Sequence, residues 1–262
     1  GPYKLLDFYQ DQYIRYIRHD KHWRQQNLAE KLIFDITPSS SLRLAKLLTS
    51  ECDVIALPAH SELEVIRQQP DLKLDEKPGL NVGFWAFNTS KPPFDNSRVR
   101  KALTMAIDRT ALIEAIYFDG AISARNLVPP TSWAYQPDIK TISYNPIAAE
   151  KILREEGIEK GFSMSLWAMP IERPYNPNAI KMAELIQAYL SQVGIEVNII
   201  SYEWATFRNY LTQGLHDSVL IGWSADNGDP DNFYRPLLSC EAIRSGTNRA
   251  MWCSKEYDEF IN

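Results

Sequence analysis

The sequence predicts an α/β fold built on a mixed or parallel sheet. Between residues 162 and 223, three strand-like apolar runs alternate with two amphipathic helical patterns. This strand–helix–strand–helix–strand order is typical of a right-handed unit whose strands are parallel. The carboxyl ends of the three strands are therefore expected to open into one crevice, where proteins of this class bind ligands.

Residues 1–78 are predicted to form one part of the molecule. Apolar runs indicate strands at Tyr13–Arg18, Leu32–Ile36 and Val54–Leu57. Short helices are expected at Ser41–Thr49 and Ser61–Gln68, the second with Ser61 as its N-cap and Glu64 three residues later. Lys77-Pro78-Gly79 then marks a break, because Pro and Gly interrupt regular structure and the residue before Pro is extended.

Residues 79–262 are predicted to form the second part. A strand includes Phe84–Phe87, and an apolar side at helical spacing indicates one long helix over Asp95–Phe118. Asn145-Pro146 begins another helix, since Asn is a frequent N-cap and Pro is favoured at the first helical position; Gly157 ends it. The three-stranded unit follows, with strands at Phe162–Met169, Ile195–Tyr202 and Ser218–Trp223 and helices at Asn178–Val193 and Thr206–Gln213.

The composition gives no support for nucleic-acid binding or for a membrane-embedded fold. The 262 residues carry a formal net charge of −5, whereas binding to nucleic acid or a membrane surface uses a basic face. Hydrophobic residues make up 45% of the chain, enough for a substantial core. No apolar run approaches the roughly 18 residues that a membrane-spanning helix needs, and no signal-peptide pattern is present.

The most informative segment follows the last predicted strand. Its sequence is Ile221-Gly-Trp-Ser-Ala-Asp-Asn-Gly-Asp-Pro-Asp-Asn-Phe-Tyr234. It resembles the GW-x-x-D-N-G-D-P-D-N-F signature of extracytoplasmic solute-binding protein family 5, the dipeptide- and oligopeptide-binding receptors of ABC importers. Further blocks similar to this family lie at Pro78–Thr89, Lys91–Leu103 and Leu166–Asn178. Phe233–Cys240 and Met251–Cys253 resemble the Sap-type branch, which is linked to antimicrobial-peptide resistance.

This resemblance implies a periplasmic binding protein-like fold, with mixed or parallel sheets in two lobes joined by hinge strands. Residues 1–78 would be part of lobe I, and residues 79–262 would be lobe II, the ligand-binding lobe, truncated at its C-terminal end. Members of the family are longer than this chain, so we expect a fragment that lacks both ends.

Two charged residues beside the predicted crevice suit the two ends of a peptide. The planar fork of Arg173 can bind both oxygens of a carboxylate. A carboxylate in a desolvated cleft, such as Asp226, suits an ammonium group. From the residues alone, both could be ordinary loop charges. The resemblance implies that Asp226 binds the ligand's amino group and that Arg173, as in dipeptide receptors, binds its carboxylate. Sap-type members often lack this arginine, which leaves the ligand's length open.

Three further side chains are candidates for contact with a ligand. Trp204 and Trp223 are expected to end strands at the crevice, where large rigid faces suit varied peptide side chains, although tryptophans also serve in cores. Asn88, near the end of the Phe84–Phe87 strand, is a candidate for binding a peptide backbone.

The three cysteines cannot all pair within one chain. The count alone leaves open whether Cys52, Cys240 and Cys253 are free thiols or include a disulfide. The resemblance to dipeptide receptors implies a disulfide between Cys240 and Cys253, and it places the partner of Cys52 outside this chain.

No motif of a hydrolase, nucleotide-binding protein or zinc site is present. The Asp226–Asp231 loop lacks the alternating oxygen ligands and closing Glu of a calcium site, and Asp229 and Asp231 are expected to cap backbone amides instead. His19 and His22 are interpreted as solvated side chains. No metal site is therefore predicted. A hydrolase that uses the Asp226–Asp231 carboxylates on peptides or glycans stays as an alternative of a different class.

The expected function is that of a periplasmic receptor that captures peptides, including antimicrobial peptides, for an ABC importer. It would bind ligands without chemical reaction and without a cofactor, and an inner-membrane permease would be its partner. The resemblance to the Sap branch also allows haem as cargo. We expect a monomer.

Overall fold

The chain forms two compact units, Gly1–Leu74 and Asp75–Asn262. The structure is a computed structural model, and it describes residues 1–24, 28–118, 120–159 and 161–262. The predicted break at Lys77–Gly79 lies a few residues beyond this boundary.

The first unit contains an antiparallel sheet of three strands in the order β1-β2-β3. Its elements are β1 (Tyr3–Tyr9), β2 (Tyr13–Arg18), β3 (Lys31–Asp35), α1 (Ser40–Leu48), a 3₁₀ turn (His60–Glu62) and α2 (Leu63–Arg67). Leu5 lies opposite Tyr16, and both Phe8 and Phe34 lie opposite Ile14, so one face of the sheet is apolar. Leu5, Phe8 and Phe34 are all more than half exposed.

Two predictions in the first unit were wrong in detail. Val54–Leu57 is not a strand: Leu57 has a positive φ of 53° and Val54 is exposed. The second helix does not use Ser61 as its N-cap. Instead the Glu62 carboxylate accepts hydrogen bonds from the Ala59 amide (2.9 Å) and the Ser40 hydroxyl (2.5 Å), and this closes the 3₁₀ turn. The strand β1 was not predicted.

The second unit is built on a mixed four-stranded sheet in the order β4-β7-β5-β6. The strands are β4 (Asn81–Phe87), β5 (Ser163–Ala168), β6 (Glu196–Ile200) and β7 (Ser218–Ser224). β5 is parallel to both β6 and β7, which confirms the predicted parallel unit. β4 is antiparallel to β7.

The second unit contains eight helices among the described residues. They are α3 (Ser97–Met105), α4 (Arg109–Tyr117), α5 (Pro146–Glu155), α6 (Ala179–Ser191), α7 (Trp204–Thr212), α8 (Asp231–Leu238), α9 (Cys240–Ser245) and α10 (Lys255–Ile261). Of these, α8, α9 and α10 were not predicted. The single helix predicted over Asp95–Phe118 was wrong. The Asp108 carboxylate accepts hydrogen bonds from the Thr110 and Ala111 amides, so a second helix begins there. The Asn145 side chain caps α5 as predicted, through the Ala148 amide (2.9 Å).

The buried core of the second unit fixes the strands whose ends form the crevice. Leu166 of β5, Leu190 of α6, Phe207 of α7 and Val219 of β7 are all fully buried in one hydrophobic cluster. In the part of the chain that the structure describes, no helix is both long and apolar enough to cross a bilayer.

The predicted disulfide between Cys240 and Cys253 is confirmed. It joins the start of α9 to the segment before α10. Cys52 is a half-buried free thiol, and burial raises its pKa.

Candidate ligand-binding site

The loops after the parallel strands, together with the amino end of β4, surround one edge of the second unit's sheet. β4 reaches this edge with its first residues because it is antiparallel: Asn81 pairs with Ser224, and the Ala225 amide donates to the Leu80 carbonyl at 2.8 Å. The loops are residues 169–178 after β5, 201–203 after β6 and 225–230 after β7. This is the edge at which parallel strands of an α/β sheet present ligand-binding groups.

Arg173 is held at this edge by its backbone and by an aromatic ring. Its amide donates to the Asn176 carbonyl at 3.0 Å, and the Asn176 amide donates back at 2.9 Å, which makes a tight turn. The guanidinium carbon lies 4.9 Å from the centre of the Trp204 ring, a cation–π contact. None of the ion pairs found among the described residues involves Arg173.

Trp204 is the first residue of α7 and does not end a strand, which corrects the predicted position. The Glu203 carboxylate caps the helix by accepting from the Ala205 amide (2.9 Å) and the Thr206 amide (3.2 Å), and these hydrogen bonds lower its pKa. The Trp204 ring stacks on Phe207 with a centroid distance of 5.8 Å. The cap and the stack together fix the surface on which Arg173 lies.

Asp226 follows β7 by two residues and is exposed. Its amide donates to the side-chain oxygen of Asn232 at 3.2 Å, while its carboxylate has no hydrogen-bond or ion-pair partner in the described ranges. The other two carboxylates of the loop have partners. Asp229 accepts from the Asp231 amide at 2.9 Å, as predicted, whereas Asp231 pairs with Arg235 at 2.9 Å instead of capping an amide.

Trp223 and Gly222 are adjacent in β7 and therefore face opposite sides of the sheet, because side chains alternate along a strand. It is partly buried and packs in a small cluster around Val82, Val128 and Phe233. Its indole nitrogen is buried and has no hydrogen-bond partner in the described part of the chain. Trp223 is thus placed at the crevice end of β7, with its ring in a satellite core.

The prediction that Asn88 binds a peptide backbone was wrong. Asn88 follows the carboxyl end of β4, and the antiparallel pairing brings that end to the start of β7, at the opposite edge of the sheet. The side chain is fully buried, its amide group donates to the carbonyls of Gly214 (2.9 Å) and His216 (3.0 Å), and its oxygen accepts twice from Ser90. All its hydrogen-bonding capacity is therefore used within the protein.

Tyr175 belongs to this site and was missed by the sequence analysis. It lies in the Arg173 loop and packs against Gly83 of β4 and Gly222 of β7. Isolated glycines within strand patterns indicate a close approach by another part of the chain, so the two glycines carried a signal. Their sequence positions do not reveal which residue approaches them.

The described residues contain no group of three His, Cys, Asp or Glu side chains that could hold a metal ion. The candidate site combines the Arg173 guanidinium on the Trp204 ring, the unpaired Asp226 carboxylate and the loops that carry them.

Residues 1–245 match the family described as "Bacterial extracellular solute-binding proteins, family 5 Middle". Three curated relatives align over the whole chain. They are the dipeptide-binding protein of Escherichia coli K12 (44% identical), the probable ABC transporter periplasmic-binding protein SapA of the same organism (42%) and heme-binding protein A of Haemophilus influenzae (40%). These matches confirm the predicted resemblance, including that to SapA. The chain spans about half the length of the curated relatives, 48–49% of each.

A solved structure shows the same fold. The crystal structure of a dipeptide-binding protein from Pseudoalteromonas sp. SM9913 in complex with Met-Leu is 47% identical, with a TM-score of 0.91. It matches all of this chain and 52% of that one. The predicted α/β fold of the periplasmic-binding type is therefore confirmed.

Proposed function

Because the chain belongs to the bacterial extracellular solute-binding proteins of family 5, we propose that it is the ligand-binding part of a periplasmic peptide receptor. Residues 1–78 are assigned to lobe I and residues 79–262 to lobe II, which carries the ligand site. The receptor binds peptides in the periplasm as a monomer and delivers them to an inner-membrane ABC permease. The relatives that are named dipeptide-binding and periplasmic-binding proteins support this assignment.

The observation that carries the proposal is the pair of unpaired charges at one sheet edge. Arg173 and Asp226 follow β5 and β7, which are neighbours in the sheet. Neither side chain has an ion-pair partner among the described residues. A peptide brings one charge of each sign, so it can pair with both groups at once. Arg173 would bind the carboxylate with its planar fork, and Asp226 would bind the ammonium group.

The hydrogen bonds and ion pair of the Asp226–Asp231 loop favour a receptor over a hydrolase. A hydrolase that uses a pair of carboxylates needs both of them positioned to exchange protons with the substrate or with water. Asp229 and Asp231 already have hydrogen-bond and ion-pair partners, which leaves Asp226 as the available carboxylate of the loop. We therefore assign binding without turnover to this site, and the proposal includes no cofactor.

Haem is a second candidate cargo, because heme-binding protein A is 40% identical to this chain. The propionates of haem are carboxylates, so Arg173 would serve both ligands. Asp226 distinguishes them, since it suits an ammonium group, which haem lacks. The unpaired Asp226 carboxylate favours peptides.

The proposal is tested by titrating a receptor of the relatives' length that contains this chain. The ligands are one dipeptide in three forms: unmodified, N-acetylated and C-amidated. Asp226 is exposed in the chain alone, and the proposal requires a bound peptide in the longer receptor to cover it. Asp226→Asn should then weaken binding of the unmodified dipeptide by about 2–5 kcal/mol, because it leaves a desolvated ammonium group unpaired. Affinity for the acetylated form, which lacks this charge, should change little. Arg173→Ala should weaken binding of the unmodified dipeptide, while affinity for the C-amidated form, which lacks the carboxylate, should change little.

Asp138→Asn serves as the matched control, because Asp138 is an exposed aspartate outside the crevice loops. It should leave all three affinities unchanged. Equal binding of the unmodified and acetylated dipeptides by the unaltered receptor would reject the assignment of Asp226. A haem absorbance band in purified protein that dipeptide does not displace would favour the haem receptor, and cleaved dipeptide would favour the hydrolase.

A further inference from the structure

Tyr175 fastens the loop that carries Arg173 to two strands of the sheet. We propose that Tyr175 is a positioning residue that, held by Tyr117, Gly83 and Gly222, sets the place of Arg173 and with it the selectivity for a free ligand carboxylate. The inference rests on the proposed function, because it takes Arg173 as the group that binds the carboxylate.

The first contact that holds the Arg173 loop in place is between Tyr175 and two glycines. Gly83 and Gly222 are direct partners in the β4–β7 ladder and therefore lie on the same face of the sheet. A Cβ atom at Gly222 would lie 2.4 Å from the Tyr175 ring, and one at Gly83 would lie 2.3 Å from the Tyr175 carbonyl oxygen. Neither distance is possible for real atoms. The loop can lie this close to the sheet because both positions are glycine.

The second contact that holds this loop is a hydrogen bond from α4. The Tyr117 hydroxyl donates a hydrogen bond to the Tyr175 carbonyl oxygen at 2.7 Å. Burial raises the pKa of Tyr117, so the hydroxyl keeps its proton and remains a donor. The same carbonyl oxygen therefore accepts a hydrogen bond from Tyr117 and occupies the space that a side chain at position 83 would fill.

The position of Tyr175 is transmitted to Arg173 through a short turn. Tyr175 lies inside the turn that the paired backbones of Arg173 and Asn176 close. The two side chains also interact: burial raises the pKa of Tyr175, and the positive charge of Arg173 partly offsets this. A shift of the Tyr175 peptide would therefore move the Arg173 backbone relative to Trp204, on which the guanidinium lies.

Bidentate binding of a carboxylate depends strongly on this placement. Hydrogen bonds weaken steeply when donor–acceptor distance or angle departs from its optimum. Two parallel bonds from one guanidinium must both meet their geometry. A loop shift of a few tenths of an ångström would thus reduce the discrimination between a carboxylate and an amide, while other contacts with the peptide persist.

The test uses Tyr117→Phe and Gly83→Ala in the receptor of full length. Tyr117→Phe removes one hydrogen bond to the loop, and Gly83→Ala forces the Tyr175 peptide outwards. We measure the dissociation constants of one dipeptide and of its C-terminal amide by calorimetry. Each variant should weaken binding of the free-carboxylate form by about tenfold, which is the effect of losing one of the two hydrogen bonds between Arg173 and the ligand carboxylate. Binding of the amide should be nearly unchanged.

Tyr144→Phe is the matched control, because Tyr144 lies outside the site and its ring contacts Tyr189. It removes a hydroxyl in the same way and should change neither affinity. Thermal unfolding of each variant checks that it is folded; if Gly83→Ala does not fold, Tyr117→Phe decides alone.

The outcomes separate this inference from the proposed function. If Arg173→Ala removes the carboxylate preference but Tyr117→Phe retains it in full, the positioning role is overturned and the proposed function stands. If Tyr117→Phe weakens both ligands equally, its role is merely structural and the inference is again overturned. If Arg173→Ala leaves the preference intact, the proposed carboxylate site fails and the inference fails with it.

Discussion

Protonation of His216 couples the stability of the second unit to pH. The ring is fully buried, its Nε2 donates to the Arg249 carbonyl at 2.7 Å, and its Nδ1 has no partner in the described part of the chain. A proton on Nδ1 would therefore place an uncompensated charge inside the protein. Burial lowers the pKa to about 4 from 6.5, even though the Arg249 hydrogen bond opposes the shift. The charges of Arg249 and Lys91 also disfavour protonation, and Asp217 favours it.

The free energy of unfolding should therefore fall as the pH falls from about 6.5 to 4. In this window the unfolded chain binds a proton that the folded chain does not, which lowers stability by up to about 3 kcal/mol. Denaturant unfolding followed by tryptophan fluorescence at pH 7, 5.5 and 4 measures the effect. His216→Gln should flatten the dependence in this window. An unchanged slope in the variant would show that other groups are responsible.

At the residue scale, the local sequence predicted some hydrogen bonds between near neighbours, although the local predictions for Ser61 and Asp231 were wrong. Asn145 and Asp229 bond amides within three residues of themselves, so the local pattern was sufficient. Asn88 was misassigned, because its partners Gly214 and His216 lie more than 120 residues away along the chain. The predicted ligand roles of Asp226, Arg173, Trp204 and Trp223 remain proposals.

The segment from α8 to α10 follows the loop after β7 and contains the disulfide. Asn232 of α8 holds the Asp226 amide, and Cys240 begins the next helix. Cys240 is also held through its amide by the Asp258 carboxylate of α10 at 3.1 Å. The disulfide between Cys240 and Cys253 thus ties α9 to the segment that leads into α10.

Replacement of both cysteines, Cys240→Ser with Cys253→Ser, should lower the free energy of unfolding of the second unit by about 3 kcal/mol. The reason is that the bond closes a short loop and restricts the unfolded chain. Chemical denaturation of the double variant measures the loss. Cys52→Ser is the control, since Cys52 is a free thiol in the first unit. A double variant as stable as the unaltered chain would contradict the expectation.

At the element scale, the sequence predicted the parallel unit but not the direction of β4. The alternation of strands and helices over 162–223 limits β5, β6 and β7 to a parallel arrangement. No comparable rule applied to β4, which is separated from β7 by more than 100 residues and pairs with it antiparallel. Because β4 is antiparallel to β7, Asn81 lies beside the crevice and Asn88 does not.

At the scale of the whole molecule, the apolar core is distributed unequally. Among the described residues of the first unit, Leu63 and Ile66 are the only buried apolar side chains, whereas the large buried cluster belongs to the second unit. Every candidate ligand-binding residue at the crevice also lies in the second unit. Folding of the site should therefore depend on the second unit alone.

We expect residues 75–262, produced alone, to unfold in one cooperative transition at nearly the temperature seen for the same unit in the whole chain. Residues 1–74 alone should exchange their backbone amides rapidly, because the apolar face with Leu5, Phe8 and Phe34 stays more than half exposed and contributes little burial energy. Hydrogen exchange followed by mass spectrometry tests both pieces and the whole chain. Slow exchange across β1, β2 and β3 in the isolated first piece would contradict the argument. So would loss of protection in β5 and β7 when the first piece is removed, because the core that protects these strands lies entirely within residues 75–262.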